Sequence, residues 1–234
     1  MSVGAAASRL GIGVVGAGRV GPVLARALAG AGHAIIGIHA SGDEGRERAE
    51  AMLPGVPVLE VAEVVRRSEL VLFAIPGAEL PALVQGLTAT GAWQPGQLVI
   101  HTAPEHGSQV FAPALAAGVI PLALHPAMVF TGTSLDLTRL AEATVAVTAP
   151  APVLPIGQAL AVEMGAEPVI VAEQDRAAYA EAVGAAGDFA RAVVRQALSA
   201  LSELGLEVPD RIVGGIVRAA VEEELIAGGA DPEL

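Results

Sequence analysis

The sequence predicts an α/β fold with a doubly wound, mostly parallel sheet, followed by a small all-helical domain. Short apolar runs alternate with amphipathic segments through residue 172. These runs place Val, Ile and Leu on successive positions, a pattern typical of parallel strands that are buried on both faces. From Gln174 onward strand-like runs stop and helical periodicity takes over. We therefore expect one domain at residues 1–172 and a second at residues 173–234.

The seven apolar runs and the helical segments between them define the first domain. The strands are expected at Gly11–Val15, Ala34–His39, Leu70–Ile75, Gln97–His101, Val119–Leu124, Ala143–Val147 and Pro168–Val171. Helices are expected at Val20–Ala29, Gly45–Met52, Val61–Arg67, Leu80–Leu87, Phe111–Ala116 and Ile156–Met164. Glycine and proline pairs separate these elements, as turns require. The repeated strand–helix order predicts a sheet covered by helices on both sides.

Composition excludes several classes of function. The 234 residues are 53% hydrophobic but only 3% aromatic, so the core must be aliphatic. The net charge of −12 argues against a nucleic-acid partner, because an acidic surface repels phosphates. All 13 basic residues are Arg, and Cys is absent. Thiolate zinc sites, cysteine nucleophiles and lysine Schiff bases are therefore excluded, and the lack of a G-x-S-x-G motif argues against a hydrolase.

Membrane insertion and export are not expected. The two long uncharged stretches, Gly107–Leu135 and Ala143–Val162, are each interrupted by several prolines. No basic segment precedes the first apolar run, so the sequence does not have the pattern of a signal peptide. We expect a cytoplasmic protein that does not enter a membrane.

A glycine motif follows the first predicted strand and opens the first predicted helix. Its loop comprises Gly16, Ala17, Gly18, Arg19, Val20 and Gly21, in the pattern G-x-G-x-x-G. In this context the first glycine makes a tight turn, the second lets the backbone approach a pyrophosphate, and the third permits close helix–sheet packing. The helix N-terminus supplies unpaired N–H groups for the phosphates. The motif predicts a Rossmann dinucleotide-binding domain.

The end of the second strand favours NADP over NAD. An NAD site usually has Asp or Glu there, but this strand ends in His39, Ala40 and Ser41. Arg46 and Arg48 follow on the next helix, where they can reach a 2′-phosphate, and Ser41 can donate a hydrogen bond to it. Asp43 is the residue best placed to reverse this preference. Ala74, Ile75 and Pro76, at the end of the third apolar run, are expected beside the cofactor.

Two histidines are expected at the carboxyl edge of the sheet, where open α/β sheets bind ligands. His101 and Thr102 end one strand, and His125 ends the next. We consider His125 a candidate proton donor, with His101 and Thr102 positioning the substrate; the alternative for His101 is a buried core histidine. His101 and His106 do not have the spacing of known zinc motifs, so no metal is predicted.

The second domain is predicted to contain two helices. Residues 174–204 form one amphipathic segment, Gly205 is a plausible cap, and Pro209 opens a helix to about Ala227. Asp188, beside two glycines in the long helix, is a further candidate for the substrate cleft, whereas Tyr179 is expected to pack between helices. Because the apolar stripe is wide for so small a domain, we expect a homodimer through these helices.

Several segments resemble one family of oxidoreductases. GIGVVGAGRVGPVLARAL, VLFAIPGAEL, LVIHTAPEHG and ALHPAMVF, followed by a helical tail, resemble the 6-phosphogluconate dehydrogenase-like superfamily. The most similar branch has an uncharacterised helical C-terminal domain, and pyrroline-5-carboxylate reductases are more distantly similar. The resemblance implies an NADP-dependent oxidoreductase. The lysine that hydroxyacid dehydrogenases of this superfamily use has no counterpart here, so their chemistry is not implied.

These observations leave three hypotheses. The first is a reductase that transfers hydride from NADPH to a small carbonyl or imine. The second is a non-catalytic protein that binds a dinucleotide for regulation, which the absence of lysine favours. The third is a methyltransferase that uses the same glycine turn, but its cofactor prefers a carboxylate at the end of the second strand.

Overall fold

The structure, a computed structural model, describes residues 9–229. It confirms the predicted fold class: a seven-stranded, mostly parallel sheet followed by helices. The strands are β1 (Gly11–Val15), β2 (Ala34–His39), β3 (Leu70–Phe73), β4 (Leu98–His101), β5 (Ile120–Pro126), β6 (Thr144–Thr148) and β7 (Glu167–Ile170). The helices are α1 (Gly21–Gly30), α2 (Asp43–Met52), α3 (Val61–Arg67), α4 (Leu80–Ala89), α5 (Leu135–Leu140), α6 (Leu154–Glu163), α7 (Arg176–Glu203) and α8 (Pro209–Gly229).

The sheet places the glycine loop beside the end of a neighbouring strand. The strand order is β2-β1-β3-β4-β5-β6-β7. All neighbouring strands are parallel except β5 and β6, which are antiparallel. Strand order reverses between β1 and β3, so the loops that follow these two strands flank a crevice. Those loops contain Gly16–Gly21 and Ala74–Pro76.

Burial on both faces explains why apolar and polar residues do not alternate along the strands. Ile12 and Val14 of β1 belong to an apolar cluster that also contains residues of α1 and α6. Val15 belongs to a second cluster on the other face, with residues of α3 and α4. The residues of β3, and Leu98 to Ile100 of β4, alternate between the same two clusters. Burial on both faces therefore accounts for the successive apolar side chains of these segments.

Two local elements differ from the sequence prediction. The segment predicted as a helix at residues 111–116 is a 3-10 helix, Ser108–Ala117, with Pro113 inside it. Proline lacks the N–H that an α-helical hydrogen bond needs there. The short helix α5 is not predicted, because its six residues are too few to show a period. Its residue Asp136 accepts hydrogen bonds from the backbone N–H groups of Thr131 and Gly132 in the preceding turn.

The chain divides into two compact units after Ala180, within α7. In the second unit, Gly205 has a φ of +76°, a left-handed conformation that suits glycine, and Pro209 begins α8 as predicted. Val213 is buried, but many large apolar side chains of this unit are exposed. None of the helices described is long and apolar enough to cross a membrane.

Candidate functional site

Two of the three motif glycines are required by the protein's own backbone. Gly16 has a φ of +111°, and a Cβ there would collide with the carbonyl oxygen of Ala74. A Cβ on Gly21 would collide with the carbonyl oxygen of Gly16. The tight turn and the close approach of α1 to the loop therefore explain both residues.

Gly18 has no such explanation within the protein. A Cβ at this position would meet no atom within 4 Å, and its φ is not positive. The fold would therefore accept a side chain at residue 18. Gly18 lies in the loop between β1 and the N-terminus of α1, so the missing side chain leaves room for a ligand to approach the backbone there.

The glycine loop borders a cleft of about 510 Å³. The predicted residues Gly16, Ala17, Gly18, Ser41, Ala74, Ile75 and Pro76 line it together. The N-terminus of α1 has no side-chain cap and no acidic residue in its first turn, so its N–H groups remain available to an anion. Asp43, Glu44 and Glu79 also line this cleft, and Arg48 brings a positive charge to it.

The two arginines of α2 occupy different surroundings. Arg46 lies outside the cleft lining and donates a hydrogen bond to Asp43, with 2.7 Å between Nη1 and Oδ1. Arg48 lines the cleft, and its Nη1 donates to the carbonyl oxygen of Ala17 at 2.9 Å. Of the two, Arg48 is therefore positioned to meet a ligand that lies along the glycine loop.

A second cleft of about 280 Å³ continues from the first, with which it shares Ile75 and Pro76. Val20, Thr102 and His125 line it, as do Met128 and Phe130. The structure thus brings together two of the predicted catalytic residues, Thr102 and His125, at the carboxyl edge of the sheet. The lining is mostly apolar, as is usual where an uncharged ring binds.

His125 forms a hydrogen bond that the sequence did not indicate. Its Nδ1 lies 2.8 Å from the hydroxyl oxygen of Tyr179, and the two rings meet edge to face. Burial, together with the positive charge of Arg176, lowers the pKa of His125 to about 4. Burial raises the pKa of the Tyr179 hydroxyl. At neutral pH the pair therefore consists of an uncharged imidazole and a protonated phenol.

His101 has the surroundings of a core histidine. Its Nδ1 accepts a hydrogen bond from the Ala103 N–H at 3.2 Å, and its Nε2 lies 3.0 Å from the Gly107 carbonyl oxygen. This arrangement requires the neutral Nε2–H form, and burial lowers the pKa of His101 to about 4. Both nitrogens are occupied, so His101 shapes the loop at residues 102–107 rather than presenting a nitrogen to the cleft.

The remaining predicted residues lie elsewhere. Arg19 is part of the glycine loop but is exposed and lines neither cleft, and Asp188 lies in the second unit, where it forms an exposed ion pair with Arg191 at 2.6 Å. Sequence reasoning assigned Tyr179 to helix packing and did not consider Arg176. Arg176 begins α7 and Tyr179 follows three residues later. This i,i+3 spacing places the two side chains on the same face of the helix, and it was the only feature of the sequence that could have linked them. Within residues 9–229, no group of three His, Asp or Glu side chains is arranged to hold a metal ion.

Comparison with protein families agrees with this architecture. Residues 2–126, more than half of the chain, match the Rossmann-like domain, and residues 143–230 match a domain of unknown function, DUF2520. The chain therefore belongs to the Rossmann-like family, and its second part carries a DUF2520 domain. The predicted resemblance to the branch with an uncharacterised helical C-terminal domain is thus confirmed. A search of curated proteins finds no match.

Several solved structures share the fold at low sequence identity. A proposed NADP oxidoreductase from Bacteroides fragilis aligns with a TM-score of 0.76 and 18% identity, over 92% of this chain and 80% of that one. An imine reductase from Pseudomonas sp. aligns with a TM-score of 0.70 and 15% identity, over 95% and 77%. A pyrroline carboxylate reductase from Plasmodium falciparum with NADP bound aligns with a TM-score of 0.63 and 12% identity, over 91% and 78%.

Proposed function

We propose that this protein is an NADP-dependent reductase that acts on a small imine or carbonyl compound. The observation that carries the proposal is the open space at Gly18, between the turn after β1 and the uncapped N-terminus of α1. The two connected clefts extend from Ser41 past Pro76 to His125, the course that a bound dinucleotide needs. The fold neighbours named as NADP oxidoreductase, imine reductase and pyrroline carboxylate reductase support the same class.

The residues fit a dinucleotide along this course. The backbone N–H groups at Gly16–Gly21 would bind the pyrophosphate, and Ser41 with Arg48 would bind the adenosine ribose and its 2′-phosphate. Ile75 and Pro76 would contact the middle of the cofactor, and Val20 and Thr102 would border the nicotinamide. When bound, NADPH supplies the hydride that reduces the substrate carbon.

The charge state of His125 favours an imine over a carbonyl. A carbonyl oxygen must receive a proton as its carbon is reduced, but neither a neutral imidazole nor a phenol of raised pKa is a strong acid at neutral pH. An imine that arrives already protonated needs no proton from the protein. His125 then orients the substrate: its Nδ1–H donates to the Tyr179 oxygen, which fixes the ring, and its Nε2 accepts a hydrogen bond from the iminium N–H.

Turnover separates this proposal from a regulatory protein that binds the dinucleotide without using it. We expect the absorbance of NADPH to decay in the presence of at least one member of a panel of cyclic imines, aldehydes and keto acids, with the imines fastest. Two observations favour the regulatory alternative. Asp188, a candidate for the substrate cleft, is exposed and paired with Arg191, and the chain has no lysine that could act as the catalytic residue of hydroxyacid dehydrogenases. Micromolar NADPH binding without oxidation by any of these compounds would establish that alternative.

Arg48 is expected to select NADPH over NADH. In the Arg48→Gln variant the Kd of NADPH should rise by about 10- to 150-fold, because a charged hydrogen bond to a phosphate contributes about 1.5–3 kcal/mol. The Kd of NADH, which lacks the 2′-phosphate, should not change. Fluorescence titration with both nucleotides makes the measurement.

Arg46→Gln is the matched control for this variant, since Arg46 lies on the same helix but pairs with Asp43 outside the cleft. It should leave both affinities unaltered. An equal loss of NADPH and NADH binding in Arg48→Gln would instead assign Arg48 to supporting the loop through the Ala17 carbonyl.

The second unit supports a homodimer. Its two helices leave a large apolar surface exposed, including Phe189 at 71%, Ile216 at 66% and Leu225 at 72%. Val217, Val221, Leu225 and Ile226 border an apolar groove on α8. A second copy of the chain offers the same apolar surface, which suits a two-fold contact. The cytoplasmic location stays a prediction.

Light scattering at micromolar concentration should give twice the mass of the chain. The double variant Phe189→Glu with Leu225→Glu should give the monomer mass, because charged carboxylates at a buried contact are strongly unfavourable. Val162→Glu is the control, since Val162 is 60% exposed on α6 in the first unit. A wild-type protein of monomer mass would refute the dimer.

A further inference from the structure

The loop between β5 and α5 lies against both clefts of the proposed binding site. Met128 and Phe130 line the second cleft. Gly132, two residues further along, is buried against the side chain of Arg48: a Cβ at residue 132 would lie 3.0 Å from Arg48 Nε and 3.2 Å from the Cα of Arg19. The loop therefore packs on the glycine loop and on the arginine that lines the first cleft.

Two contacts restrict the side chain of Arg48. Its Nη1 donates to the carbonyl oxygen of Ala17 at 2.9 Å, and the backbone at Gly132 approaches its Nε and Cδ. No carboxylate of the described residues forms an ion pair with Arg48, so its charge remains available to a ligand. A side chain that is already restricted loses less conformational freedom when it binds an anion. The contact with Gly132 therefore favours phosphate binding by Arg48.

Asp136 fixes the turn that carries Gly132. Its side chain is buried, and Oδ2 accepts hydrogen bonds from the backbone N–H groups of Thr131 and Gly132 at 2.8 Å each. Oδ1 accepts a third from the Thr131 hydroxyl at 2.9 Å. Burial raises the pKa of the Asp136 carboxyl, but the hydrogen bonds from Gly132 and Thr131 outweigh burial and hold the pKa below its ordinary value. A charged acceptor therefore holds the turn, and such hydrogen bonds are stronger than neutral ones.

We propose that Asp136 is a positioning residue that sets the preference for NADPH over NADH by holding Gly132 against Arg48. The inference rests on the proposed function, which assigns the 2′-phosphate to Arg48. Asp136 lines neither of the two clefts, so it acts on the ligand through Arg48. Without its carboxylate the turn loses three hydrogen bonds, Gly132 no longer restricts Arg48, and the phosphate has to order that side chain itself.

The ratio of the Kd of NADH to the Kd of NADPH, measured by fluorescence titration, tests this assignment. In Asp136→Ala the ratio should fall by about 3- to 10-fold through weaker NADPH binding, the loss expected when a ligand has to order one flexible side chain. Asp136→Asn should keep most of the wild-type ratio, because its amide oxygen can still accept both backbone N–H groups. A role in stability alone would lower the melting temperature without changing this ratio.

Gly132→Ala tests the same contact by a second route, which applies even if Asp136→Ala does not fold. Its Cβ would press against Arg48, so the ratio should fall in this variant as well. Gly165→Ala is the matched control. Gly165 has a φ of +87°, close to the +81° of Gly132, but a Cβ there would meet Ala141 at 3.7 Å, in ordinary contact and outside both clefts. Both variants strain a left-handed backbone, and only Gly132→Ala should change the ratio.

An unchanged ratio in either Asp136→Ala or Gly132→Ala would overturn the proposal. A fall in Asp136→Asn as large as in Asp136→Ala would also overturn it, because the negative charge rather than the turn would then be responsible. The proposed function fails separately: wild-type protein that binds neither nucleotide would contradict the cofactor. A wild type that prefers NADPH, together with variants that keep this preference, would contradict the role of Asp136 alone.

Discussion

The Gly18→Val variant will bind NADPH more than about 100-fold more weakly than the wild type, and its melting temperature will not change. A Cβ at residue 18 meets no atom within 4 Å in the folded protein, so we expect folding to be unaffected. The same space is where the pyrophosphate must approach the backbone, so the ligand is displaced. A 100-fold loss corresponds to about 2.7 kcal/mol. Fluorescence titration and thermal unfolding on the same sample measure both quantities.

Gly21→Ala is the matched control and should behave in the opposite way. Its Cβ collides with the Gly16 carbonyl oxygen, which is backbone and cannot move aside without opening the turn. We expect the free energy of unfolding to fall by about 1–3 kcal/mol. If Gly18→Val binds NADPH as well as the wild type does, the dinucleotide does not lie on this loop and the proposed function is wrong.

His125→Gln should lower kcat by about 100-fold, the lower end of what a positioned acid–base or hydrogen-bonding group contributes. Its Nε2 makes no hydrogen bond to the described residues and the side chain belongs to a residue that lines the cleft, so we expect Nε2 to be the atom available to the substrate. Tyr179→Phe should lower kcat by a smaller factor, about tenfold, because it removes only the bond that orients the imidazole. Neither variant should alter the Kd of NADPH.

The pH profile provides an independent check on His125. Because burial lowers its pKa to about 4, the imidazole stays neutral from pH 8 down to about pH 5. Its protonation then removes the acceptor for the iminium N–H, so kcat/KM should fall near pH 4, and His125→Gln should lack this fall. The contrary result is a fall of kcat/KM near pH 6.5, the ordinary pKa of histidine, that is absent in His125→Gln. It would show that His125 is accessible to water and becomes charged.

Strand positions and the glycine loop were predictable because each depends on neighbours in the sequence. Successive apolar residues at Leu70–Phe73 identify a strand buried on both faces. Two motif glycines are required by contacts within one strand–turn–helix unit and the adjacent strand, whereas we propose that Gly18 leaves room for a ligand. The direction of β6 against β5 was not predictable, because periodicity fixes burial but not the direction in which a strand runs.

The candidate catalytic residues were only partly predictable. A histidine at the end of a buried strand indicates the ligand-binding edge, which applied to His101 and His125 alike. Only the folded structure separates them: both nitrogens of His101 are bound to backbone, whereas His125 faces a cleft and contacts Tyr179. From the sequence, Arg46 and Arg48 likewise had the same expected role near a 2′-phosphate. In the structure Arg46 pairs with Asp43, whereas Arg48 contacts the glycine loop at Ala17, so only Arg48 lies at the cleft.

The sequence by itself determined the doubly wound sheet and the dinucleotide loop, because both follow from local periodicity and from the steric demands of a few adjacent residues. The tertiary structure alone decided the contact between His125 and Tyr179, 54 residues apart, and the burial of Arg176 between β5 and β6 without a counterion. Hydrogen bonding and desolvation depend on which atoms surround a side chain. Those atoms come from distant parts of the chain that only folding brings together.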